Sequence, residues 1–163
     1  MVDSTQFKNA MAKLTSAVHV VTTDGVGGKH GFTASAVCSV TDNPPTLLVC
    51  MNTQTYTYPA FIQNGVLSVN LLSHHQELLS NTFASKMTST ERFAVGHWSS
   101  LVTGSPILAE ALVNFDCQIV EVKEVGTHGI FICRIVAIRE ADAVKAYQGL
   151  VYFNRAYYPV GLG

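Results

Sequence analysis

Charge is scarce in this sequence. Lys, Arg, Asp and Glu make up 13% of its 163 residues, against about 25% in an ordinary soluble domain. The formal net charge is −1 and no basic cluster interrupts the chain, which argues against nucleic acid as a partner. No apolar run is long enough to span a bilayer, so no membrane role is expected. The opening Met1-Val-Asp-Ser-Thr-Gln-Phe-Lys8 lacks a basic segment followed by an apolar one, so no secretory signal is expected and the expected compartment is the cytoplasm. Cys38, Cys50, Cys117 and Cys133 form no C-x-x-C pair. Zinc is not expected; buried, reduced thiols are. No serine sits in a G-x-S-x-G turn, the histidines lack metal-ligand spacing, and Asp116 falls on the solvent phase of its strand pattern.

Apolar residues, by contrast, fill 48% of the chain. A chain of this length is expected to be one domain, residues 1–163, with a substantial core. So few charges are too few to cover a monomer of this size, which points to an apolar homo-oligomer interface.

Local patterns place the elements. Asp3 and Gln6 have capping-box spacing, and Phe7, Ala10, Met11 and Leu14 then share one packing face of a helix. Val18 to Thr23 reads as a strand and Asp24 to Gly31 as a glycine-rich hairpin turn. Pro59 suits the first turn of a short helix that Asn64-Gly65 stops. Val66 to Leu72 is a strand. Ser73 caps a helix from His74 to Phe83 with Leu78, Leu79 and Phe83 inward, and the pair His74-His75 points to different faces. Ala84 to Phe93 is polar and irregular. It carries Lys86 and Arg92, either phosphate partners or ordinary surface charges. The stretch from Ala94 to Pro106, with Trp98, reads as a long loop of the lid or interface-covering kind. Ala111 to Ile119 alternates, and a phase change at Ile119-Val120 implies a bulge before Val125. Gly126-Thr-His-Gly129 joins this strand to Ile130–Ile138 as a hairpin with His128 at its tip, where it either meets a ligand or serves as a turn residue. Gly149 to Asn154 is the last strand and Arg155 to Val160 a tail. The class is mainly β with short helices, an antiparallel barrel or sandwich.

One stretch stands apart: Gly31-Phe-Thr-Ala-Ser-Ala-Val-Cys-Ser-Val-Thr-Asp-Asn-Pro-Pro-Thr-Leu-Leu-Val-Cys-Met-Asn52. It begins and ends as strand. Its centre is small and hydroxylated, a loop on which a flat ligand can approach the backbone and meet hydroxyl and N–H donors. The same residues would equally allow close packing of sheet against helix. Pro44-Pro45 marks a turn or a sheet edge.

This stretch resembles the signature of the short-chain flavin reductases, the small reductase components of two-component flavin monooxygenases. Further likeness lies in Phe7 to Val21, Val69-Asn-Leu-Leu72, Phe83-Ala84, Glu91-Arg-Phe93, Gly126-Thr-His128 and Gly149 to Arg155. The resemblance implies an FMN-binding split β-barrel and a homodimer, with hydride passing from NADH to FMN or FAD. The reduced flavin would go to a flavin-dependent monooxygenase. The members it brings closest are the reductases of 4-hydroxyphenylacetate 3-monooxygenase and of pyrimidine utilisation, and the first is the expected partner. By the same resemblance Thr33, Ala34, Ser35, Ala36, Ser39 and Val40 would line the flavin, with Asn52 and Thr53. Ala84, Ser85 and Lys86 would lie near its phosphate end and His128 at the nicotinamide nucleotide, with Tyr152 carried over as a cofactor-binding residue and Arg155 beside it in the motif. No catalytic acid or base and no metal is expected. Rival expectations are a flavoprotein that retains FMN and reduces another acceptor, and a non-catalytic flavin- or haem-binding split barrel.

The scarcity of charge carries the first test. Light scattering at micromolar concentration is expected to give twice the chain mass; a monomeric mass would remove the homodimer.

Overall fold

The computed structural model describes residues 1–142 and 148–161. Helix α1 (Ser4–Met11) precedes strands β1 (Ser16–Ala17), β2 (His19–Thr23), β3 (His30–Ala34), β4 (Val37–Asp42) and β5 (Pro45–Asn52). Helix α2 (Tyr58–Asn64) leads to β6 (Val66–Leu71). A 3-10 turn at His74–Gln76 runs into α3 (Glu77–Ala84), and α4 (Ser89–Phe93) follows. The chain ends through β7 (Trp98–Ser100), β8 (Pro106–Leu108), β9 (Val113–Val125), β10 (His128–Glu140), β11 (Gly149–Phe153) and β12 (Ala156–Val160).

Seven strands form one antiparallel sheet in the order β3-β2-β6-β9-β10-β5-β4. Its two edges, β3 and β4, are consecutive in sequence and joined only by Ser35 and Ala36. A flat sheet of this width would hold those edges ~29 Å apart. The connection from Ala34 to Val37 can reach at most ~11 Å. The sheet therefore curls until its edges meet, and the seam between them stays unpaired: a split barrel, as expected. Small sheets β1-β11-β12 and β7-β8 pack outside it.

Both faces of β2 are buried, because the barrel fills one side and the helices cover the other. Val21, Val49, Met51, Phe61, Leu67, Val69 and Phe131 pack within the barrel. Val20, Leu72, Leu79, Phe83 and Leu108 form a second cluster with Phe93 and Trp98. Several expected devices are present. The α1 capping box joins Asp3 and Gln6. Pro59 opens α2, and Gly65 ends it at φ +67°. The β9–β10 register skips Val120, the expected bulge.

Other expectations are corrected. The centre of the signature stretch is an edge strand, β4, and its loop is only Ser35-Ala36. Asp116 is fully buried. The chain after β7 folds over it, so that its carboxylate accepts from Ser68 Oγ at 2.9 Å, from the Val102 and Thr103 amides at 2.8 Å each and from Thr103 Oγ1 at 2.5 Å. Trp98 lies on β7 and packs on Phe93 and Phe83 at 4.9 and 5.5 Å between ring centroids, so it belongs to the core and not to a lid. Residues 84–93 contain α4, capped by Thr88 and Glu91. The tail contains β12. A 3-10 turn precedes α3; Leu78 points outward at 68% exposure, while Leu79 and Phe83 are buried, and the His74 and His75 rings approach to 3.6 Å between centroids. Helix α1 buries none of its residues, so its apolar face does not pack within the chain. Cys38 is exposed and Cys50 half-buried, while Cys117 and Cys133 are buried; all four are free thiols. Among the described residues no helix is long and apolar enough to cross a membrane.

His19, on β2 opposite Ala34, supplies a pH-dependent contribution to this fold. It is 7% exposed, and burial pushes its imidazole down to about 4. The unfolded chain takes up the proton first, near pH 6.5. Stability from neutral His19 is therefore complete above that pH and is lost as pH falls toward 4. Between pH 7 and pH 5 urea denaturation is expected to show a loss of about 2 kcal/mol from this group, and His19→Gln to abolish that part of the slope.

Candidate active site

The seam opens into a cleft of about 1270 Å³. One wall is the end of β3 with Thr33 and Ala34, the connection Ser35-Ala36, and Cys50 to Asn52 of β5. The facing wall is the chain from Phe83 to Thr90, with Arg92. His30 and Tyr56 close one side and His128 reaches in from the β9–β10 tip. The volume exceeds the roughly 300–1,000 Å³ of a site for one drug-sized ligand.

Local packing explains why these residues converge. Thr33 Oγ1 donates to the Ser80 carbonyl at 2.6 Å, tying β3 to α3. Gly31 is required where β3 crosses α3, because a Cβ there would lie 2.8 Å from the Phe83 ring. Arg92 fixes the far wall: Nη1 donates to the Gly31 carbonyl at 2.6 Å and Nη2 to the Ser85 carbonyl at 2.5 Å. Ser89 Oγ donates to the Lys29 carbonyl. On the near wall, Cys50 N donates to the Ala36 carbonyl at 3.0 Å, and the turn Val37 N to Ser35 O is also 3.0 Å. His128 is the first residue of β10, exposed, and lies between Val125 and Asn52 in the sheet register. Its Nδ1 is 2.9 Å from Thr127 Oγ1.

The electrostatics are one-sided. Among the described residues that line the cleft there is no Asp or Glu, whereas Lys86 and Arg92 are present. Hydroxyls of Ser35, Thr88 and Thr90 add donors on both walls, while that of Ser85 donates to the Thr82 carbonyl at 2.7 Å. An anion with a phosphate tail therefore meets attraction and no carboxylate repulsion. The two cations differ in availability. The Arg92 guanidinium already holds two carbonyls, while Lys86 is exposed.

Of the residues expected from the sequence, the structure gathers Thr33, Ala34, Ser35, Ala36, Asn52, Ala84, Ser85, Lys86 and His128 into this cleft. It does not gather five others. Ser39 and Val40 lie on β4 where it runs away from the seam toward the Pro44-Pro45 turn, and Val40 is 50% exposed. Thr53 sits beside the cleft, its N and Oγ1 donating to the Thr127 carbonyl at 2.9 and 3.1 Å. Tyr152 is on the separate β1-β11-β12 sheet, 4.9 Å from Tyr157 between ring centroids. Arg155 is also remote, donating to Asn9 Oδ1. Sequence reasoning missed His30, Phe32 and Tyr56. His30 Nδ1 is buried without a hydrogen-bond partner among the described residues, and its ring meets Tyr56 edge-on at 6.0 Å. Its place in a glycine-rich turn gave no signal, since only curling of the sheet brings that turn to the cleft.

A split barrel whose seam opens into a cleft with Lys86 and Arg92 and, among the described residues, no carboxylate is the architecture of the flavin reductases. The flavin reductase like domain family matches residues 11–161, and the chain belongs to that family. It is 54% identical over 159 residues to the protein named FMN reductase (NADH) RutF of Pantoea ananatis, spanning 98% of this chain and 82% of that protein. The crystal structure of a candidate flavin reductase from Haemophilus somnus 129PT is 57% identical, covers 98% of this chain and all of its own, and superposes with a TM-score of 0.93. The styrene monooxygenase flavin reductase of Pseudomonas putida S12 is 26% identical, with coverage of 96% and 98% and a TM-score of 0.83.

Ser35 tests the seam as a ring site. In Ser35→Trp the indole would occupy the space between the walls, and flavin affinity should fall on the order of 10- to 100-fold with an unchanged circular dichroism spectrum. Retained affinity in a folded variant would make the small residues a packing device only.

Proposed function

We propose that this family member is an NADH-dependent FMN reductase, that flavin and NADH share the cleft at the seam, and that the reduced flavin leaves for a separate flavin-dependent monooxygenase. The single observation behind this reading is the cleft itself, carboxylate-free and flanked by Lys86 and His128, in a chain about half identical to proteins named FMN reductase (NADH). Thr33 to Ala36 and Asn52 line the ring, Ser85 and Lys86 face the phosphate end, and His128 meets the nicotinamide nucleotide. Of the two partner branches the sequence resembles, relatives named RutF favour pyrimidine utilisation over the expected 4-hydroxyphenylacetate 3-monooxygenase. Exposed Phe7 and Leu14, at 57% and 61%, favour a homodimer. Four free thiols suit the reducing cytoplasm.

The residues present fit two nucleotide substrates. The walls offer hydroxyl and backbone donors, a cation, and the unpartnered His30 Nδ1. Hydride transfer takes place between nicotinamide and flavin, so the bond-making atoms belong to the two substrates. The chain would supply orientation, its two opposed walls holding both nucleotides for the transfer. With flavin bound, the seam amides and the Ser35 hydroxyl would be the groups able to stabilise charge developing on the ring edge. No side chain has to move a proton for this step.

Anaerobic mixing with NADH and excess free FMN is expected to consume many equivalents of NADH per chain, seen as loss of nicotinamide absorbance. One stoichiometric reduction of retained flavin would instead support the flavoprotein reading, and no reduction with ligand bound would support a binding module. His128→Ala should raise KM for NADH about tenfold and leave FMN affinity within about twofold.

A further inference from the structure

We propose that Tyr58 is a positioning residue for the reaction: its hydroxyl, held against Glu124 and Gly129, fixes the β9–β10 tip and thereby His128 over the nicotinamide end of the cleft. The inference rests on the reading of His128 given above.

Strands β9 and β10 are 13 residues long each, and their tip is exposed from Val125 to His128. Exposed hairpin ends open first, so a residue that must meet a ligand there needs a tether. Tyr58 supplies it from α2. Its ring is 7% exposed and stacks on Phe131 at 5.7 Å and 30° between planes. Phe131, fully buried, stacks in turn toward Phe61 at 6.1 Å. The phenol oxygen therefore has a fixed position. From there it donates to Glu124 Oε1 at 3.2 Å. It also lies 2.4 Å from the point a Cβ on residue 129 would occupy, so only glycine admits it. Glu124 and Gly129 are opposite one another in the register, and the next pair outward is Val125 and His128. The hydroxyl thus touches both strands one pair behind His128. Burial first, and then the Glu124 carboxylate, push the Tyr58 phenol up, so it remains a neutral donor. A second tie, Thr53 to the Thr127 carbonyl, holds the tip from the other side. Two fastenings on different elements leave the tip little freedom to swing.

The test uses the full chain. Tyr58→Phe keeps the stacked ring and removes only the donor. It is expected to raise KM for NADH about fivefold, leave KM for FMN within about twofold, and speed amide exchange at Thr127 to Gly129. Glu124→Ala should match it, Glu124→Gln should restore NADH use because it keeps an acceptor oxygen, and the Tyr58→Phe/Glu124→Ala pair should be no worse than either alone. Unchanged exchange and unchanged KM in Tyr58→Phe would overturn the tether, as would equal loss of NADH and FMN affinity or additive effects in the pair. His128→Ala separates the two readings. If it raises KM for NADH while Tyr58→Phe does not, the tether fails and the role of His128 stands. If His128→Ala is silent while exchange still rises in Tyr58→Phe, the tether is real, but its role in NADH binding is overturned with that of His128.

Discussion

The rest of the structure depends on the two-residue connection at Ser35 and Ala36. It joins strands that are opposite edges of one sheet, so the sheet has to roll up. Yet β3 and β4 do not pair across the join, so the roll stays split. Pairing them would close the barrel and remove its edges. Leaving them apart preserves backbone donors and acceptors along a groove, which is tolerable only where a ligand or water can reach them. Small residues at the join keep the groove shallow enough for a flat ring to touch the backbone. The same two residues therefore set the topology and floor the cleft.

Everything around the seam keeps it open at a fixed width. Inside, Phe61, Phe131 and Met51 fill the barrel so that it cannot collapse. Outside, Phe83 is wedged against Gly31, and Arg92 bridges the Gly31 and Ser85 carbonyls. A guanidinium suits this strut because its planar fork reaches two acceptors at once. Its Nε is buried without a partner among the described residues, an energetic cost that ordering of the far wall must offset. Deeper, Asp116 and the pair Asn70 and Asn114 carry polar networks that fasten the outer β7–β8 layer to β6 and β9.

Short-range chemistry was legible in the sequence, and long-range geometry was not. The Asp3–Gln6 capping box, Pro59 and Gly65 around α2, the Val120 bulge and the His128 tip all follow from neighbours in the chain. Asp116 did not: strict alternation places it outside, and only residues 102 and 103 folding over that face bury it. Trp98 looked like part of a loop because three-residue strands such as β7 carry no periodicity. The cleft lies between these cases. Family resemblance supplied Thr33 to Ala36, Asn52, Ala84 to Lys86 and His128. It also supplied Ser39, Val40, Thr53 and Tyr152, which a motif cannot separate from the lining because adjacency in sequence is not adjacency across a curled sheet. His30 enters only through that curl, and Arg92, legible as a phosphate partner or a surface charge, proves to be a strut between the Gly31 and Ser85 carbonyls.

The sparse charge of the cleft has a kinetic reason when flavin is a substrate that must leave. A turnover of ~10 per second requires product dissociation at least that fast. With association at ~10⁶–10⁷ M⁻¹s⁻¹, the dissociation constant then cannot fall below ~1–10 μM, a binding free energy of about −7 to −8 kcal/mol. A flat ring system buried against apolar walls approaches that value with little help. Several free guanidiniums on the phosphate would exceed it and turn a shuttled flavin into a resident one. Neither cation adds a strong hold: Arg92 spends donors on the protein's own carbonyls, and Lys86 is exposed, where its attraction is screened. A weak electrostatic hold is thus compatible with precise ring placement, provided placement comes from the shape of the seam and not from charge.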